Sequence, residues 1–111
     1  MTNPQKAKGS KAELEAARWL AEQTGHPVRR MLGAGRQDDR GDLEGLPGVM
    51  IECKNYRDFG AGVRSAMSTI NAKKANANAD YAVALIRRPG GGFWAVMPDE
   101  DWLAMWREAT A

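Results

Sequence analysis

Apolar positions along the chain follow two periods, and the alternation between them sets the expected elements. From Ser10 the residues Leu14, Ala17, Leu20 and Ala21 recur at helical spacing, which predicts an amphipathic helix that stops at Gly25. Ser10 followed by Glu13 reads as a capping box at its start. Met1 to Gly9 reads as a loose basic arm. Val28–Leu32 is a short strand candidate, although Arg29 and Arg30 interrupt its alternation. Gly41–Leu46 and Val49–Asn55 are two extended runs joined by Pro47-Gly48, the signature of a hairpin. Phe59-Gly60-Ala61-Gly62 reads as a break, and Val63–Ala79, with Val63, Met67 and Ile70 on one side, as a helix. Tyr81–Arg87 is a continuous apolar run of the kind found in strands buried on both faces. After a turn at Pro89–Gly92, Phe93–Met97 returns as a strand. Asp99 can then cap a last helix carrying Trp102, Met105 and Trp106.

The order is helix, strand, hairpin, helix, strand, strand, helix. The segment between Val49 and Arg87 is long enough for a right-handed crossover, so its two strands are expected as parallel neighbours. This is an α/β protein with a mixed sheet flanked by helices. With 111 residues there is room for a single core, and residues 10–111 are expected to form one domain behind the arm 1–9.

Composition narrows the setting. The single cysteine, Cys53, excludes an internal disulfide, and no apolar stretch is long enough for a signal peptide or a bilayer span; a cytoplasmic protein with no membrane partner is expected. Net charge is only +2, but it is unevenly spread. Asp99, Glu100, Asp101 and Glu108 stand against Arg107 near the C-terminus, leaving 15 basic and 10 acidic residues in positions 1–98. That balance favours a polyanionic partner such as nucleic acid.

The candidate chemistry lies in Gly41-Asp42-Leu43 and Val49-Met50-Ile51-Glu52-Cys53-Lys54. Strand alternation puts Glu52 and Lys54 on one face and Val49, Ile51 and Cys53 on the other. A hairpin pivoting at Pro47 sets Asp42 opposite Glu52, about 5 Å away as cross-strand partners stand. Two carboxylates that close repel unless a cation lies between them. Oxygen donors of this kind suit Mg²⁺ or Mn²⁺, with the Cys53 backbone carbonyl as a further ligand. Lys54 beside them can position a water and neutralise charge developing on a phosphate.

The arrangement of an Asp, a turn, and then Glu-Xaa-Lys after an apolar run resembles the PD-(D/E)XK, restriction-endonuclease-like nucleases. The stretch Lys8-Gly9-Ser10-Lys11-Ala12-Glu13 opening a helix is similar to that of archaeal-type and phage Holliday junction resolvases. The resemblance covers roughly Lys8 to Met97 and departs in one place, where Gly41 stands in the position of the motif's proline. It implies a restriction-endonuclease-like core in a prokaryotic or phage-encoded protein. It also implies a Mg²⁺-dependent endonuclease leaving 5′-phosphate and 3′-hydroxyl ends, with Glu13 joining Asp42, Glu52 and Lys54 in the site. The implied substrate is four-way or otherwise branched DNA in recombination and repair. Paired cuts in a symmetric junction call for a homodimer, and the apolar excess at Phe93, Trp94, Trp102, Met105 and Trp106 is the candidate for part of its interface.

Plainer readings stand beside these. Glu52 and Lys54 can be a surface ion pair on an edge strand, Glu13 a capping residue only, and Glu44 an alternative ligand. The loop Gly33–Arg40 lacks the third glycine of a dinucleotide fingerprint; it reads as a phosphate-gripping loop through Arg36 or Arg40. Lys8, Arg29, Arg30, Arg64, Lys73 and Lys74 are the other candidate DNA contacts, with a solvated helix face as the alternative for the last three. Cys53 reads as an inert core residue, and His26 as a turn residue without a catalytic part. Two other functions compete with the resolvase: another nuclease of the same superfamily (nickase, repair or restriction type), and a non-catalytic DNA-binding module.

Overall fold

The computed structural model describes residues 4–31 and 38–111, with side chains from Gly9 onward. Its elements are α1 (Pro4–Thr24), β1 (Arg29–Arg30), β2 (Leu43–Glu44), β3 (Val49–Lys54), α2 (Phe59–Asn76), β4 (Tyr81–Arg87), β5 (Phe93–Val96) and α3 (Asp99–Ala109). The strands form one open five-stranded sheet in the order β1-β2-β3-β4-β5. Only β3 and β4 run parallel, joined by α2 as a crossover; the other neighbours are antiparallel. The expected α/β class, element order and parallel pair are all present.

Two helices cover opposite faces of the sheet. On one face Ala12, Ala16 and Ala17 of α1 meet Leu43, Ile51, Cys53 and Leu85. On the other, Ala66 and Ile70 of α2 meet Met50, Ala82, Ala84 and Ile86. Alanines at both contacts let the helix backbones approach the sheet closely. Gly62 takes this furthest, since a Cβ there would lie 3.4 Å from Tyr56 Cβ and 3.5 Å from Ile86 Cγ2. The central strands β3 and β4 are thereby buried on both faces.

Several boundaries differ from the sequence expectation. Helix α1 starts at Pro4, not Ser10; proline suits a first helical turn, where an N–H has no intrahelical partner. Ser10 is therefore inside the helix and caps nothing. Its hydroxyl accepts from Arg30 instead (3.2 Å). Leu14, expected on the buried stripe, is 51% exposed, because Ala12, Ala16 and Ala17 face the sheet. Strand β1 is only Arg29–Arg30, though Met31 N–H extends the pairing to Asp42 O (2.8 Å). The Phe59–Gly62 stretch is no break: it is the first turn of α2, capped by Asp58, whose Oδ1 accepts from Gly60 N–H and Ala61 N–H. Helix α2 also ends early, at Asn76, and Asn78 takes a left-handed φ of 50°. At α3 the N-cap position is Pro98 and not Asp99, whose Oδ1 accepts from Glu100 N–H. Among the described residues no helix is long and apolar enough to cross a membrane.

Candidate active site

The β2–β3 register pairs Leu43 with Ile51, so Asp42 falls opposite Glu52, as a pivot at Pro47 requires. Three backbone contacts fix Asp42. Its N–H donates to Ile51 O (2.9 Å), its carbonyl accepts from Met31 N–H, and its Oδ2 accepts from Cys53 N–H (2.8 Å). Gly41 before it has φ +100°, and a Cβ there would lie 2.7 Å from Met50 Sδ and 2.8 Å from Ile51 O. A proline cannot take that φ, and a side chain has no room. The chain's departure from the motif at this position is thus a local steric requirement.

Glu52 is fully buried in the central strand of the sheet, which removes the reading of an edge-strand surface pair. Its Oε1 accepts from Lys73 Nζ (3.0 Å), while Lys54 Nζ stands 3.6 Å from Oε2. Among the described residues Oε2 has no hydrogen-bond partner. Lys73 also lies 3.4 Å from Asp39 Oδ2, and Asn76 Nδ2 donates to Asp39 O (2.9 Å), so α2 holds the residues leading into Gly41. Glu13 reaches the same region from α1, where its Oε2 accepts from Arg30 Nε (2.9 Å).

Electrostatically the site is short of positive charge. Burial, and next the Asp42 charge, push the carboxyls of Glu13 and Glu52 above their usual range. Burial likewise raises Asp42, against the Cys53 N–H and the two lysines. Burial by itself would lower Lys73, but its hydrogen bond to Glu52 and the surrounding acids outweigh that and raise it. Glu52 thus remains hard to ionise although its partner is firmly protonated, because complete burial costs a carboxylate more than one ammonium returns. The Cys53 thiol is pushed up to about 12, by burial first and then by Asp42, Glu13 and Glu52, as befits an inert core cysteine.

Among the described residues no group of three or more His, Cys, Asp or Glu side chains is disposed to hold a metal ion. Two carboxylates suffice for Mg²⁺, which keeps several of its waters. Asp42 and Glu52 fit that demand: they are hard oxygen donors with raised pKa values, and one buried oxygen lacks a partner. Glu13 fits it less well, its carboxylate being held by Arg30.

The expected DNA contacts disperse. Arg29 pairs with Glu44 (2.8 Å), which also takes Glu44 away from any ligand role, and Arg30 with Glu13. Arg40 lines a cleft of about 180 Å³ with Gly48, Val49 and Asn78, at the opposite end of β3 from Lys54. Arg64 is exposed on α2. Lys74 donates to Asp101 (3.0 Å), so neither it nor Lys73 belongs to a solvated face. Arg36 and the Lys8 side chain lie outside the described residues. Sequence reasoning undervalued Lys73 at the centre of the site, yet a signal existed. Residues 66, 70 and 73 have the helical spacing of one face, and two of them are core.

Comparison of the chain with family models, curated proteins and solved structures found no match in any of the three.

Proposed function

We propose that this protein is a Mg²⁺-dependent endodeoxyribonuclease of the PD-(D/E)XK kind, acting on branched DNA as a Holliday junction resolvase does. One observation carries the reading. Asp42 and Glu52 face each other across β2 and β3, with Lys54 two residues on, and Glu52 is a fully buried acid with one oxygen that lacks a hydrogen-bond partner among the described residues. A buried, incompletely paired carboxylate destabilises a fold, so its presence in the central strand points to a bound cation. The five-stranded mixed sheet between α1 and α2 is compatible with a restriction-endonuclease-like core.

In this reading Asp42 and Glu52 hold the ion, with the Cys53 carbonyl as a further oxygen. When bound, Mg²⁺ or Mn²⁺ polarises the scissile phosphodiester and lowers the pKa of an attacking water. Lys54 neutralises charge building on the phosphate oxygens. Lys73 steadies Glu52 from α2, and Cys53 N–H fixes Asp42 Oδ2. Arg30 orients Glu13 at the rim, where it modulates Asp42 through charge.

A second reading is favoured by the lysine on Glu52 and the arginine on Glu13: a closed ion-pair network in a DNA-binding module without catalysis. Labelled four-way junction, duplex, flap and single-stranded DNA, each with Mg²⁺ and with EDTA, separate the two. Junction cleavage in Mg²⁺ alone, lost in Asp42→Asn, Glu52→Gln and Lys54→Ala, supports the nuclease. Equal cutting of all substrates points to a general nuclease of the superfamily, and binding without cutting to the module.

A further inference from the structure

Helix α3 presents its polar side to the protein and its apolar side to solvent. Asp101 is the residue turned inward: it is 2% exposed, its Oδ2 accepts from Ala82 N–H (2.7 Å) and its Oδ1 from Lys74. Seven residues on, Glu108 accepts from the Tyr81 hydroxyl. With those two facing the sheet, Trp102, Leu103, Met105 and Trp106 form a stripe centred roughly 120° round the helix. They are 57%, 36%, 44% and 54% exposed.

The same edge of the sheet carries a second unfinished feature. Strand β5 is an edge strand of four residues, Phe93-Trp94-Ala95-Val96, with no charged residue to discourage pairing. Arg88 N–H donates to Gly92 O (2.9 Å), so in the alternation of an antiparallel ladder Trp94 and Val96 bond to β4. The N–H and C=O groups of Phe93 and Ala95 then point away from the sheet. Trp94 is 51% exposed. Helix α3 continues this edge, since Ala82 N–H, which Asp101 takes, is the next outward amide of β4 beyond its pairing with Val96.

We infer that a second copy of this chain covers this edge, with β5 pairing antiparallel to the partner's β5 about a twofold axis at Trp94. Outward amides must face outward amides, so an alignment centred on Trp94 sets Phe93 against Ala95 of the partner subunit and leaves the two Trp94 rings as a close cross-strand pair. The same register sets Gly92 opposite Val96 of the partner subunit, and symmetry repeats that contact. The area agrees as well. Three half-exposed tryptophans, with Met105 and Leu103, leave about 500 Å² of apolar surface open, close to the apolar share of a standard interface of about 800 Å² per partner. The twofold is closed, so assembly stops at two. It also keeps both α2 faces on one side of a ten-stranded sheet, with the β3 strands about 24 Å apart. Should the nuclease reading hold, that is an arrangement suited to paired cuts.

The pairing requires neither DNA nor metal, so the test is independent of activity. Sedimentation of the full chain in EDTA, without DNA, is expected to show a closed species of twice the chain mass at micromolar concentration. Ala95→Pro removes an outward amide and leaves the β4–β5 bonds intact; it and Trp102→Glu are each expected to give monomers that retain the native circular dichroism. Trp94→Glu sets two carboxylates against each other at the twofold axis and is expected to weaken the dimer about tenfold or more, whereas Trp94→Phe is expected to keep it. A strictly monomeric wild type, open-ended oligomers, or a dimer indifferent to both Ala95→Pro and Trp94→Glu would overturn the inference.

Discussion

Replacing Lys73 by methionine removes the cation nearest the buried acid while keeping most of the side-chain stem. Lys73 Nζ is the hydrogen-bond donor to Glu52 Oε1, at 3.0 Å, and the remaining ammonium, Lys54, is 3.6 Å away on the other oxygen. The Glu52 side chain is 0% exposed and that of Lys73 15%. Breaking a buried pair from one side costs about 3–5 kcal/mol. The partly open Lys73 end and the surviving Lys54 put the expected loss at the low end, about 3 kcal/mol, or roughly 12 °C in Tm for a chain of this size. The loss depends on pH in a defined sense. The Glu52 carboxyl is already raised above 4.5, by burial first, and loses its main counter-charge in the variant. A group raised on folding contributes stability below its unfolded pKa and loses it as pH rises through the folded value. Variant and wild type should therefore melt together near pH 4 and diverge as pH increases towards 8. Mg²⁺ should stabilise both proteins at pH 8, by about 2.7 kcal/mol at a hundredfold excess over Kd, and the variant more at a given concentration because the ion takes the vacated charge. Thermal melts of both proteins at pH 4, 6 and 8, in EDTA and in Mg²⁺, provide the measurement. An equal Tm difference at every pH would refute the buried-charge reasoning, and melts of both proteins that Mg²⁺ leaves unchanged at pH 8 would refute the cation site.

Asp101→Ala leaves the Ala82 N–H without its acceptor and Lys74 without its acid, and should cost about 2–3 kcal/mol in urea unfolding; Asp101→Asn should recover part of it by supplying one acceptor. Gly41→Ala forces a Cβ onto Ile51 O at a φ of +100° and should destabilise by about 2 kcal/mol or more. It should also weaken Mg²⁺ binding measured by calorimetry, because Asp42 is the next residue; unchanged affinity would separate Asp42 from the ion. Asp42→Asn should be more stable than wild type at pH 8 and no different below about pH 4, since burial raises the Asp42 carboxyl, while all cleavage is lost. Arg64→Ala should lower the slope of log affinity against log salt by about one unit if this exposed α2 residue meets phosphate; an unchanged slope removes it from the interface.

Tyr81–Arg87 could be read as a strand because burial on both faces demands an unbroken apolar run, and the sequence has one. The pairing of Asp42 with Glu52 was equally legible. Strand geometry has a period of two, so a turn at Pro47-Gly48 leaves few registers, and their position at the end of an apolar strand marked them as chemical. These features depend on neighbours within about ten residues.

Other features depended on partners far along the chain. Gly60 and Gly62 suggest a break by propensity, but the Asp58 cap and the close approach to Ile86 make them part of a helix. Arg30 and Glu13 read separately as a DNA contact and a cap, and the fold joins them to each other. Lys73 reached the site only when the crossover laid α2 over β3, twenty-one residues from Glu52. Asp101 looked like one acid among several in a first turn, where helix dipoles favour them. Desolvation at the β4 edge made it the residue that sets the rotation of α3, and so sent Trp102 and Trp106 outward. Local sequence determines periodicity and turn geometry, because those arise from sterics between near neighbours. Which charges are buried, and what balances them, was decided only by tertiary packing, since the cost of removing a group from water depends on everything that surrounds it.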